Sequence, residues 1–237
     1  MCEHKQQSPP EETAKAGLSQ QILDLIPNHP ACKEALNIAQ TSLPASIFYH
    51  SVRIFLYTQA IFATTKNVSP EELSPIPATP VEQHIVFVAC MFHDLGTTST
   101  YDEAPERFEV CGADAAVRLL RKHQVDETSI REAWLAITLH TSAAIAERMS
   151  GLVRALRLAV RADFSMYPVP DLEVFGTELA SQSGWDMVKA ELPRLDVGKD
   201  LTSAIIEQGL RRPEKVPDNS WAGGLVRAKK ADPNWHW

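Results

Sequence analysis

Apolar residues recur three, four and seven positions apart along nearly the whole chain, the period of one face of an α-helix. No stretch alternates cleanly over the length of a strand. The pattern predicts helices over roughly 17–26, 31–42, 45–66, 81–94, 107–123, 127–142, 152–164, 184–191, 199–210 and 219–229, and so an all-α fold. Clusters of Pro, Ser and Thr mark the joints. One runs from Asn67 to Pro80 with four prolines; another is Tyr167-Pro168-Val169-Pro170. The first ends in a helix-start signal, with Thr79 as N-cap, Pro80 at N1 and Glu82 at N3. The joints are short and no internal repeat is visible, so a single helical domain is expected from residue 17 onward. Residues 1–16 are polar and rich in Pro, Glu and Lys, the composition of a disordered tail.

Eight apolar residues in a row, Ile85 to Phe92, run directly into His93 and Asp94. On a helix, His93 continues the stripe of Val86, Ala89 and Cys90, and Asp94 that of Phe87, Cys90 and Met91. Asp163 likewise follows Leu156, Ala159 and Val160. His50 lies with Ile47, Ile54 and Tyr57, and His140 with Ala133, Ala136 and Ile137. An ionised carboxylate on a core-facing stripe costs several kcal/mol or more unless a cation compensates it. Two imidazoles and two carboxylates placed this way suit a divalent metal. Neighbours i and i+1 diverge by about 100° on a regular helix, so His93 and Asp94 can share an ion only if the helix ends there. Gly96 is expected to end it in left-handed geometry. The plainer alternatives are a hydrogen-bonded core histidine at any one of these positions, Asp94 capping a following turn, and Asp163 pairing with a buried arginine. His84, at the start of its helix, reads as structural, and His123 as a helix C-terminal histidine.

Bulk properties narrow the function. The chain has 237 residues, of which 44% are hydrophobic and 22% charged, as in an ordinary globular protein. A net charge of −7 argues against a general nucleic-acid footprint. Apolar runs are too short to span a bilayer, and MCEHKQQSPPEET lacks the apolar core of a signal peptide. Cys2, Cys32, Cys90 and Cys111 show no ligand spacing, and Cys90 reads as a small buried hydrophobe. Together these predict a cytoplasmic protein with free thiols. The closing DPNWHW is expected to dock on the body or on a partner subunit.

The order His50, His93-Asp94, Asp163 on helical sequence resembles the H…HD…D signature of the HD-domain superfamily of metal-dependent hydrolases. YHSVRIF resembles its first-histidine helix and FHDLGTT its HD segment. RFEVCGADAA and LHTSAAI are similar to two further pieces of the cyanamide-hydratase-like branch. The resemblance covers about Pro44 to Phe164 and implies an HD-like metal core over 44–164 with a C-terminal helical extension over 165–237. It implies one divalent metal held by His50, His93, Asp94 and Asp163, with His140 near substrate and Glu109 as the acidic residue of the F/E/G block. Zinc is favoured; Fe(II) or Mn is compatible. A residue in the role of Glu109 acts as base or binds substrate, although a carboxylate in a first helical turn also suits the helix dipole.

The expected function is a hydratase or hydrolase using a metal-bound hydroxide on a small nitrogenous substrate, cyanamide to urea being the named candidate. The alternative is an HD-type phosphohydrolase acting on a nucleotide or phosphomonoester. It would need cations such as Arg53 or Arg107 near the metal, although Arg53 also suits a structural ion pair. A third reading is a degenerate scaffold that binds a ligand without turnover. The expected partner is a small molecule, with no nucleic acid and no membrane; self-association into a homo-oligomer is left open.

Overall fold

The computed structural model describes residues 17–65, 81–149, 151–164 and 182–236. Among these it is all-α, with α1 at Gln20–Leu23, α2 at Pro30–Ser42, α3 at Ala45–Thr65 and α4 at Gln83–Phe92. These are followed by α5 at Phe108–Lys122, α6 at Glu127–Leu139 and α7 at Gly151–Asp163. The last three are α8 at Gln182–Glu191, α9 at Val197–Arg211 and α10 at Trp221–Ala231. Short 3₁₀ turns, which the helical period does not signal, occupy Leu95–Thr97, Ser99–Tyr101, Ala146–Arg148 and Pro213–Lys215. No described helix is long and apolar enough to cross a membrane.

The helix starts follow local chemistry. The His29 ring accepts a hydrogen bond from Ala31 N at 3.2 Å, capping α2 in front of Pro30. Asp126 caps α6 through Ser129 N, and Ser220 caps α10 through Gly223 N. The first helix is shorter than expected because i→i−3 bonds from Leu25 and Ile26 tighten the chain ahead of Pro27. α4 begins at Gln83 with Glu82 as N-cap, so Glu82 is not at N3. Thr79, Pro80, the Tyr167–Pro170 joint, residues 1–16 and Trp237 lie outside the described residues.

α4 is apolar on every side, and Ile85 to Phe92 are all buried. Such a helix must be central, and α2, α3, α5 and α6 surround it. Each large apolar side chain removed from water there contributes about 1.5–3 kcal/mol. α7 packs on α3 and α6, and α9 joins α10 to α3. Buried side chains from Ile22 to Leu225 form one continuous core, and Trp235 of the tail packs against it. Cys32, Cys90 and Cys111 are free and buried, and burial pushes the Cys90 thiol up to about 12.

Two glycines seat α5 on the end of α4. A Cβ on Gly112 would stand 2.3 Å from Phe92 O, and one on Gly96 would stand 2.0 Å from Phe108 O. This corrects the expectation for Gly96. It does not have a positive φ and lies inside the 3₁₀ turn. Close backbone approach, not left-handed geometry, is what requires a glycine there. On the other side of the same loop, Lys215 is fully buried. Its ammonium donates to Tyr101 O at 2.9 Å, Ala104 O at 2.8 Å and Glu106 O at 2.7 Å, which fastens the C-terminal helices to the segment after α4.

Candidate metal centre

Four helices deliver the polar residues to one buried point. His50 comes from the middle of α3, His93 and Asp94 from the end of α4, His140 from the end of α6 and Asp163 from the end of α7. All five are at most 2% exposed. α4 stops at Phe92; His93 still has helical angles, but Asp94 turns to φ −107, ψ 1. That change of backbone lets adjacent side chains point at one place.

Hydrogen bonds set the state of each ring. His93 Nδ1 donates to Cys90 O at 2.7 Å, and His140 Nδ1 donates to Ile137 O at 2.6 Å. Both use the same device, a helix-end histidine bonded to the carbonyl three residues back. His50 Nδ1 donates to Asp163 Oδ2 at 2.6 Å. In the neutral rings every Nε2 therefore carries a lone pair. His50 Nε2 and His93 Nε2 are 3.2 Å apart. Asp94 Oδ2 is 3.1 Å from His93 Nε2 and 3.6 Å from His50 Nε2, while Asp94 Oδ1 is 3.5 Å from His140 Nε2.

Both Asp94 oxygens are buried and have no hydrogen-bond partner of acceptable geometry. A buried carboxylate in that condition needs a cation. The donor atoms of His50, His93 and Asp94 all lie within 4.8 Å of one another, so the group could hold a metal ion. The charges agree. Burial, despite the bond to Asp163, leaves His50 below its ordinary value, so it offers a lone pair. Burial would lower His93 too, but the Asp94 charge outweighs it and raises that group. Asp94 is held well below the carboxylate range: burial would raise it, but His93 and His140 outweigh that.

Asp163 is not in that three-residue group. It meets His50 at Nδ1, on the opposite edge of the ring from the cluster. Arg53 takes both of its oxygens in a fork, Nε to Oδ1 at 2.7 Å and Nη2 to Oδ2 at 2.8 Å. Arg53 is itself buried and also donates to Leu192 O and Pro193 O. The carboxyl of Asp163 is held far below its ordinary range; burial opposes this, but the bonds from Arg53 and His50 prevail. The pairing with a buried arginine, one of the two readings open from sequence, is what the structure contains. In this position Asp163 orients the ring of His50, the arrangement outer carboxylates have at metal sites.

Glu109 is also away from the cluster. It is fully buried; Oε1 accepts from Thr141 Oγ1 at 2.6 Å and from Arg107 Nη2 at 2.6 Å. Arg107 and Thr141 engage both of its oxygens through three hydrogen bonds. Glu109 thus holds two side chains that do line the adjoining cavity. His84 stacks on His29 with centroids 4.1 Å apart, and His123 reaches Glu34 at 2.9 Å; neither is near the cluster.

A cavity of about 590 Å³ opens onto His50, Asp94 and His140. Sequence reasoning missed Thr141, and it missed the wall supplied by Ser220, Trp221 and Arg227 of the C-terminal segment. No spacing rule connects residues so far apart in the chain. Compared with known proteins, the chain matches no protein-family model, and no curated protein matches it significantly.

Proposed function

We propose that the protein is a metal-dependent hydratase or hydrolase that adds water to an electrophilic carbon of a small nitrogenous substrate, with cyanamide to urea as the named case. One observation carries the reading. A buried carboxylate with both oxygens unpartnered faces imidazole nitrogens that lack protons, at the edge of a cavity. The resemblance to the HD superfamily supports the same reading. When bound, a divalent ion supplies Lewis acidity and brings the pKa of water toward neutrality. Zinc suits two imidazoles and a carboxylate, and Fe(II) or Mn would also accept them.

The chain's own groups do the rest. His140 has its Nδ1 proton committed to Ile137 O, so Nε2 is its accepting atom. It takes the proton that water loses as oxygen adds to the nitrile carbon, and returns it to the nitrile nitrogen. Thr141 has its hydroxyl proton on Glu109, so toward a substrate it can only accept, which suits an N–H. A phosphohydrolase has less support. Arg53 gives four of its five N–H donors to Asp163 and two carbonyls, and Arg107 is forked onto Glu109.

The test is direct. Purified protein, its metal content measured, is offered cyanamide and a panel of nucleotides and phosphomonoesters. Urea release that stops on chelation and in Asp94→Asn is the expected result. Phosphate release would favour the alternative, and a preparation that takes up no divalent metal and releases nothing would end the reading.

A further inference from the structure

The cavity is much larger than its named substrate. Cyanamide has three non-hydrogen atoms, whereas about 590 Å³ lies in the range of roughly 300–1,000 Å³ that holds a drug-sized ligand. The lining has two kinds of surface. Ile145, Val160, Phe164, Leu201 and Trp221 are apolar; Arg107, Arg157 and Arg227 bring guanidinium groups. Arg157 and Val160 share one face of α7, and Phe164, the residue after its end, continues that face through its N–H bond to Val160 O. That face runs from the charged group to the site. The Phe164 ring is 5.1 Å from the His50 ring; the Arg157 backbone lies about 10 Å back along the helix, and its guanidinium reaches the His140 carbonyl at 3.0 Å.

Each guanidinium group already has partners within the chain. Arg107 gives two N–H groups to the buried Glu109. Arg157 gives Nε to Glu147 Oε1 and Nη1 to His140 O, and it shares that same carboxylate oxygen with Arg161. Arg227 donates to the carbonyl of Asp218, whose carboxylate stands 3.8 Å off. Each guanidinium has five N–H donors, so all three keep several, Arg227 the most. Because each already has a carboxylate nearby, the wall offers donors without a large surplus of positive charge. That suits one negative charge better than the two of a phosphomonoester.

We propose that the cavity takes an organic monoanion, a carboxylic acid with an apolar body, its carboxylate on Arg157 and Arg227 and its apolar body along Val160 and Phe164. The reacting, nitrogen-bearing end then lies at His50, Asp94 and His140; that end of the assignment rests on the function proposed above. The carboxylate anchor does not, since it needs only residues of the chain.

The test is calorimetric titration of para-cyanobenzoate, benzonitrile and phenyl phosphate into the full chain, both chelator-treated and zinc-loaded. The expected result is that para-cyanobenzoate binds at least about tenfold tighter than benzonitrile in both preparations, the size of a charge-assisted contact. Arg227→Gln, in an exposed side chain whose loss should leave the fold intact, removes most of that preference and leaves benzonitrile binding unchanged. Equal binding of the acid and the nitrile overturns the inference, as does tighter binding of phenyl phosphate. The two readings fail separately. Cyanamide turnover with no preference for the acid would sink this one alone, while acid binding with no urea from cyanamide supports it and counts only against the function proposed above.

Discussion

His50 donates its Nδ1 proton to Asp163 across 2.6 Å, and that bond decides which ring nitrogen faces the cluster. Arg53, forked onto the same carboxylate, keeps it ionised and in place. Three buried groups on α3 and α7 thus prepare one lone pair. Replacing Asp163 by Ala leaves Arg53 as an uncompensated buried charge, with an expected loss of about 3–5 kcal/mol and a drop in metal affinity of about 10- to 100-fold. The double replacement Arg53→Met with Asp163→Leu should recover most of the stability and none of the metal binding. Denaturant melts and metal analysis read the two effects apart; unchanged metal occupancy in Asp163→Ala would remove Asp163 from the site.

Gly112 lets α5 lie against the last turn of α4. In Gly112→Ala the new methyl group meets Phe92 O, a backbone atom that cannot rotate away. The expected cost is about 1–3 kcal/mol or more. Since His93 and Asp94 follow Phe92 directly, metal affinity should fall with stability. A variant with wild-type melting and wild-type affinity would show that the helices can separate freely.

Lys215 holds the segment after α4 by three carbonyls. Lys215→Met keeps the length and loses the donors, with an expected loss of about 3 kcal/mol or more. Amide exchange over residues 101–106 should quicken before global unfolding does. Unaltered protection there would mean that the loop is held by other contacts.

Glu147 couples α7 to the 3₁₀ turn ahead of it, accepting from Arg157 at 2.8 Å and Arg161 at 3.1 Å. Burial would raise its carboxyl, but the bond from Arg157 and the charges of both arginines hold it below its ordinary 4.5. A carboxylate depressed in the fold stabilises above its unfolded value and loses that contribution as pH falls through the folded one. The melting temperature of the wild type should therefore exceed that of Glu147→Gln at neutral pH. The gap should narrow below about pH 4.5. A gap that is constant from pH 7 to pH 3 would show that the charge contributes nothing.

How far the chain could be read varied with the kind of feature. The all-α character and nearly every helix were legible, because a 3.6-residue apolar period is a local property. The centrality of α4 followed from its being apolar on every side. The plan of the site was legible in part. A buried charged residue on an apolar stripe announces a partner, and His93-Asp94 after Ile85–Phe92 did so; the partner's identity was not announced. Asp163 fitted a metal or an arginine equally well, and Arg53 lies 110 positions away in sequence. Which of the two it meets depends on how α3 and α7 cross. Gly96 was assigned to backbone geometry because the sequence contains no trace of Phe108 O pressing on it.

Local chemistry therefore decides where helices begin and end, which faces are apolar, and which residue types could gather a cation. Folding across long separations decides the pairs: Asp163 with Arg53, Lys215 with Tyr101 O, Trp221 with the wall of the cavity. The reason is physical. Periodicity repeats within a few residues and leaves a signal in the chain, whereas a single long-range contact occurs once and leaves none until the backbone brings its two halves together.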